Sequence, residues 1–73
     1  MVTVYTKPNC MQCQFTKRFL TDKNISFESI DVTQSKEALD TVKSLGFQAL
    51  PVVTAEGEEP FYGFRPDRLQ QLA

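Results

Sequence analysis

Val4-Tyr5-Thr6-Lys7-Pro8-Asn9-Cys10-Met11-Gln12-Cys13 is the stretch on which the fold turns. Val2, Val4 and Tyr5 are β-favouring residues in a short run, which predicts a first strand. Lys7-Pro8-Asn9 breaks it, because a proline has no N–H to give to a ladder, so the strand ends by about Thr6. From Met11 the chain reads as a helix. Phe15 and Phe19 are four apart, Leu20 widens the apolar face, and Gln14, Lys17 and Arg18 face water. Lys23-Asn24 closes the helix with a cation and a residue that tolerates left-handed backbone. The two cysteines therefore fall at the junction of a strand and a helix.

Outward from this stretch, Ile25 leads into Phe27-Glu28-Ser29-Ile30-Asp31-Val32, which alternates in part and predicts a second strand. Thr33 or Ser35 can cap a second helix, with Glu37 in its first turn near the positive end of the dipole. Ala38, Leu39, Val42 and Leu45 form its expected apolar stripe, and Gly46 sits where a left-handed residue ends a helix. Pro51-Val52-Val53-Thr54 is the third strand. Glu56-Gly57 reads as a hairpin turn into a fourth at Pro60-Phe61-Tyr62. Pro66 suits the first position of a last helix, with Leu69 and Leu72 on its inner side. The order is β-α-β-α-β-β-α. The front half implies a parallel pair joined by a right-handed crossover, and the hairpin adds an antiparallel pair. The expected class is α/β, with a four-stranded mixed sheet and three helices in one domain spanning residues 1–73.

Length and composition agree. Seventy-three residues leave no room for a second core, and 41% hydrophobic with 23% charged residues fits a folded domain rather than a disordered one. No apolar run approaches the roughly 20 residues that span a bilayer. Met1–Thr6 shows neither a basic leader nor a long apolar segment, so a cytoplasmic address is expected, with no membrane partner. Net charge is −1 but unevenly spread. Lys7, Lys17, Arg18 and Lys23 face only Asp22 in residues 1–24. Seven acids against Lys36 and Lys43 follow in residues 25–60. The front segment is thus mildly basic, which favours an acidic partner. Without a dense basic stripe, and with a pI near 5.2, nucleic acid is not expected.

The chain has no histidine, which excludes an imidazole acid–base and a Cys-His pair. It has two cysteines, so no disulfide framework staples it. Cys10-Met11-Gln12-Cys13 at a helix start puts Cys13 in the first turn and Cys10 just ahead of it. That spacing lets the sulfurs meet in a disulfide. Unpaired backbone N–H groups and the positive end of the helix dipole surround Cys10 and favour its thiolate, the nucleophilic form. Lys7 adds to this, and no carboxylate precedes Asp22. Cys10 is therefore the expected nucleophile and Cys13 the resolving thiol. C-x-x-C is also half of a zinc site. No second pair completes four ligands, which leaves a metal- or cluster-bridged dimer as a rival reading.

These residues resemble a known family. Val4–Cys10 with Met11-Gln12-Cys13 is similar to the start of small glutaredoxin-like proteins. Leu50-Pro51-Val52-Val53 resembles the proline loop of the thioredoxin superfamily, and Gly63-Phe64-Arg65-Pro66-Asp67 resembles the ending of the NrdH-redoxins. The resemblance covers essentially the whole chain. It implies a thioredoxin fold, a cis Pro51 beside the cysteines, and electron delivery to the class Ib ribonucleotide reductase. It also implies re-reduction by thioredoxin reductase, with NADPH used only through that enzyme and no cofactor or metal bound. A carrier that shows Cys10 to two partners in turn is most simply a monomer. The expected partner-binding set is Lys7, Met11, Gln12, Leu50, Pro51, Phe64 and Arg65, with Phe64 against the last helix or a reductase and Arg65 tying its loop to the fold. A solvated helix start is the plainer expectation for both Arg65 and Arg68, with docking of an acidic partner open to Arg65.

A glutathione-dependent glutaredoxin is the alternative within the resemblance. Such proteins resemble one another in a Gly-Gly followed by acids near the last helix. Here Gly63 is followed by Phe64, Arg65 and Pro66. A ring replaces the second glycine and a proline removes a backbone donor, both of which obstruct a tripeptide carboxylate. One departure from the NrdH pattern stands out. Where those proteins commonly have Trp-Ser, this chain has Phe61-Tyr62, which keeps the aromatic plane and loses the indole donor.

Overall fold

The computed structural model describes residues 1–72. Four strands and three helices follow one another as β1 (Val2–Thr6), α1 (Met11–Asp22), β2 (Phe27–Asp31), α2 (Lys36–Ser44), β3 (Val52–Ala55), β4 (Glu58–Tyr62) and α3 (Pro66–Gln70). The sheet runs β2-β1-β3-β4. β1 and β2 are parallel, with Val4 opposite Ser29, while β1 pairs antiparallel with β3 and β3 with β4. This is a thioredoxin fold.

The sheet separates two apolar layers. Val2, Val4, Leu20, Val53, Phe61 and Leu69 make the layer beneath α1 and α3. Val32, Ala38, Val42 and Val52 make the layer beneath α2. Val52 and Val53 are adjacent and both fully buried, because successive side chains of an inner strand point to opposite faces. Each supplies one layer.

The caps follow the sequence. Ser35, not Thr33, caps α2, its Oγ accepting from the Ala38 N–H at 3.1 Å. Thr33 is engaged elsewhere: its N–H and hydroxyl both donate to Asp31 Oδ1, at 2.8 and 2.6 Å. Asn24 (φ 58°) and Gly46 (φ 88°) take the left-handed positions past α1 and α2. Glu56-Gly57 makes the hairpin turn, but β4 begins at Glu58, two residues before the expected Pro60, because Glu58 already pairs with Ala55.

Two core expectations need correction. Phe15 is 48% exposed, whereas Thr16 is fully buried. The inward line of α1 runs through Cys13, Thr16 and Leu20, and Phe15 lies one step around the helix from it. Thr16 is tolerated inside because its hydroxyl donates to the Gln12 carbonyl at 2.9 Å. Leu45, expected in the stripe of α2, is its C-cap and 41% exposed. Ala38 and Val42 carry the buried line, and Phe47, after the turn, packs on that layer instead.

Candidate functional site

β1 ends at the buried Thr6, and Lys7, Pro8 and Asn9 carry the chain to α1. Asn9 takes φ 61°, which turns the backbone so that Cys10 enters as the N-cap of α1. Cys10 and Cys13 are joined in a disulfide with their Cα atoms 5.2 Å apart, within the usual range for one. The Cys13 N–H donates to Cys10 Sγ at 3.2 Å. The sulfur thus takes the role that a serine or aspartate oxygen has at other helix starts, and in the reduced protein the same N–H meets the thiolate.

The two sulfurs are not equivalent. Cys10 is 8% exposed and Cys13 is completely buried. Cys10 Sγ lies 3.9 Å from the Leu50 carbonyl oxygen. The next peptide bond, Leu50–Pro51, is cis. Pro51 is buried and presents no N–H toward the sulfurs. Its carbonyl accepts from the Gly63 N–H at 2.8 Å, and this joins the proline loop to the turn before α3. The following N–H, of Phe64, donates to Gln12 Oε1 at 3.0 Å. Three segments remote in sequence therefore meet around the disulfide: the first turn of α1, the Leu50-Pro51 loop and the Gly63-Phe64 loop.

The remaining expected residues divide. Met11 is 68% exposed next to Cys10 and open to a partner. Lys7 is exposed and lies across from Leu50 in a groove. Gln12 is exposed, and its side-chain oxygen accepts from the Phe64 amide. Within the chain, Phe64 finds its aromatic partners on α1 rather than on the last helix. Its ring lies against α1, with centroids 5.9 Å from Phe15 and 6.2 Å from Phe19. Arg65 does not tie its loop to the rest of the fold. It reaches Asp67 at 3.4 Å, two residues on, and its guanidinium holds that carboxyl below the ordinary 3.8. The tie is made by Arg68, which was expected to be solvated. Its Nη2 donates to the Glu59 carbonyl at 3.0 Å, and its guanidinium sits 4.8 Å from the centre of the Phe61 ring. The aromatic plane retained at position 61 is thus in use as a cation–π platform.

Sequence reasoning left three participants unassigned. Gly63 takes φ 81°, and its isolation in an aromatic run was the available signal. Lys43 lines the groove with Lys7, which depends on packing rather than spacing. Among the described residues the Thr6 hydroxyl is buried without a hydrogen-bond partner, and nothing local in sequence marks that.

A redox-active cysteine pair at a helix start, with one sulfur reachable and a proline loop against it, defines a thiol–disulfide oxidoreductase. Comparison with known proteins narrows this. Residues 2–59 match the glutaredoxin family model. The chain is 44% identical over its full length, and over the relative's full length, to the glutaredoxin-like protein NrdH of Lactococcus lactis subsp. lactis. It is 42% identical to NrdH of Salmonella typhimurium across 97% of this chain and 86% of that one. The structure of the glutaredoxin-like protein NrdH-redoxin from Escherichia coli superposes with a TM-score of 0.94 at 39% identity, covering 99% of this chain and 93% of the other. The chain belongs to the NrdH-redoxins, glutaredoxin-like members of the glutaredoxin family.

Proposed function

We propose that the chain is a cytoplasmic dithiol electron carrier that delivers reducing equivalents to the class Ib ribonucleotide reductase. Thioredoxin reductase recharges it at the expense of NADPH. The observation that carries the mechanism is the asymmetry of the pair, with Cys10 keeping a small exposure and accepting the Cys13 N–H, and Cys13 fully enclosed. The Cys10 thiolate attacks one sulfur of the substrate disulfide, and the other leaves as a thiolate that takes up a proton. The Cys13 thiol loses its proton and attacks Cys10 Sγ in the mixed disulfide. The second substrate thiol departs and the Cys10–Cys13 bond remains, so two electrons and two protons pass to the substrate.

Two features favour thioredoxin reductase over glutathione as the electron source. The Phe64 amide, at the turn where a carboxylate would be received, is already occupied by Gln12. The similar Escherichia coli protein is described by its thioredoxin-like activity profile. Oxidised protein is offered NADPH with thioredoxin reductase, or NADPH with glutathione and glutathione reductase, and a protein disulfide as acceptor. Rapid NADPH loss is expected with the first system and little with the second. The reverse result makes the chain a glutathione-linked glutaredoxin. Cys10→Ser is expected to abolish turnover, and Cys13→Ser to accumulate mixed disulfides with the acceptor.

A further inference from the structure

The chain holds four sulfur atoms, in Met1, Cys10, Met11 and Cys13. In the disulfide form the cysteine sulfurs are bonded to each other, and Cys10 is 8% and Cys13 0% exposed. The thioethers are the reverse: Met1 is 69% and Met11 68% exposed. An electrophilic oxidant that meets this form finds both cysteines bonded and two open thioethers. Met1 stands at the start of β1 and the cysteines lie beyond its end, so the length of the strand, roughly 17 Å, separates them. Met11 is different. It is the first residue of α1 and follows the nucleophile directly. Phe15 stands one turn further along the same helical face, 48% exposed, with its ring 5.9 Å from that of Phe64. Met11 therefore heads an exposed apolar strip beside Cys10. Cys10 keeps so little exposure that a protein disulfide reaching it must lay its own surface over the neighbouring residue. A small disulfide brings no such surface.

We infer that Met11 is a modification site, where a peroxide converts the thioether to the sulfoxide and thereby slows the carrier toward protein disulfides. The sulfur gives two electrons to the peroxide O–O bond and keeps one oxygen. The other oxygen leaves with both peroxide protons as water. Cys10 and Cys13 are spared because they are already joined when the oxidant arrives, so the dithiol chemistry survives. What changes is the surface: a flexible apolar end becomes a polar, chiral S–O group, which must shed its water when a partner covers it. Sulfoxide reductases reverse the change, so the carrier is turned down under peroxide and restored afterwards. The inference deepens the proposed carrier activity and rests on the Cys10–Cys13 dithiol being its working group.

The disulfide form is treated with hydrogen peroxide, the peroxide is destroyed with catalase, and the dithiol is regenerated with dithiothreitol, which is then removed. Peptide mass mapping is expected to find an added oxygen on Met11 as well as on Met1. Single-turnover reduction is then followed with two acceptors, insulin and the small aromatic disulfide dithiobisnitrobenzoate. The rate with insulin is expected to fall about tenfold, the scale of covering an unpaired polar group. The rate with the small disulfide is expected to stay the same. Met11→Leu retains Met1, and its rate with insulin is expected to be equal before and after peroxide. Sulfoxide reductases for both epimers are expected to restore the wild-type rate. An unmodified Met11, an insulin rate that peroxide leaves unchanged, equal losses with both acceptors, or the same loss in Met11→Leu overturns this inference alone. Failure of the untreated protein to reduce the small disulfide overturns the carrier reading and this inference with it.

Discussion

Gln12 and Phe64, fifty-two positions apart, are joined by a hydrogen bond from the Phe64 N–H to the Gln12 side-chain oxygen at 3.0 Å. Gln12 lies between the two cysteines, so the motif that carries the chemistry also holds one wall of its own site. Residue 12 is thus a brace between α1 and the turn before α3 as well as an exposed member of the motif.

Removing the brace is expected to loosen the turn rather than unfold the protein. Gln12→Ala loses one hydrogen bond, worth about 1 kcal/mol of stability. Exchange of the Phe64 amide, followed by NMR, is expected to accelerate. Gln12→Glu keeps an acceptor and is expected to restore protection. Unchanged exchange in Gln12→Ala would show that the bond is not formed in solution.

Gly63 is held by conformation and by space. At φ 81° a side chain is strained, and a Cβ there would stand 3.3 Å from Gln12 Oε1. Gly63→Ala is expected to cost about 1–2 kcal/mol in thermal or urea denaturation from the backbone alone. It also crowds the brace, so the double variant Gly63→Ala/Gln12→Ala is expected to lose less than the sum of the two single changes.

The Thr6 hydroxyl is buried at the end of β1 without a partner among the described residues. A valine of nearly the same shape removes an unsatisfied polar group and keeps the β-branch. Thr6→Val is therefore expected to leave stability unchanged or raise it by about 1 kcal/mol. A clear fall in the urea midpoint would mean that the hydroxyl has a partner in solution.

Asp67 titrates below its ordinary value. The Arg65 side chain donates to its carboxylate and lowers its pKa below 3.8. A lowered folded-state value contributes stability above the unfolded pKa, and that contribution is lost as pH falls through the folded value. The carboxyl is fully exposed, so the effect on stability is small. Its chemical-shift titration is expected to have a midpoint below 3.8, and Arg65→Ala is expected to move it back up.

Much of this arrangement is legible in the residues. Period, breakers and caps locate all seven elements because each acts within a few positions: Pro8 ends β1, Ser35 starts α2, and Gly46 closes it. The cysteine junction is legible for the same reason, since spacing and helix start are both local. Phe15 and Leu45 misled because an apolar residue beside the inward line of a helix reads much like one on it. The Gln12–Phe64 brace, the Arg68–Phe61 platform and the Lys7–Lys43 groove were not legible. Each joins segments whose approach is fixed only when the sheet is assembled.

The order of the strands has a consequence for synthesis on the ribosome. β1 lies inside the sheet, and one of its two neighbours, β3, starts at Val52. When the cysteines and α1 have emerged, β1 can pair with β2 alone. The proline loop, Gly63 and Phe64 have still to emerge. A nascent chain therefore displays its thiols before the walls that later govern access to them are in place. Selectivity among disulfides is the last property the growing polypeptide acquires, well after the cysteines themselves have been exposed to any oxidant or thiol nearby.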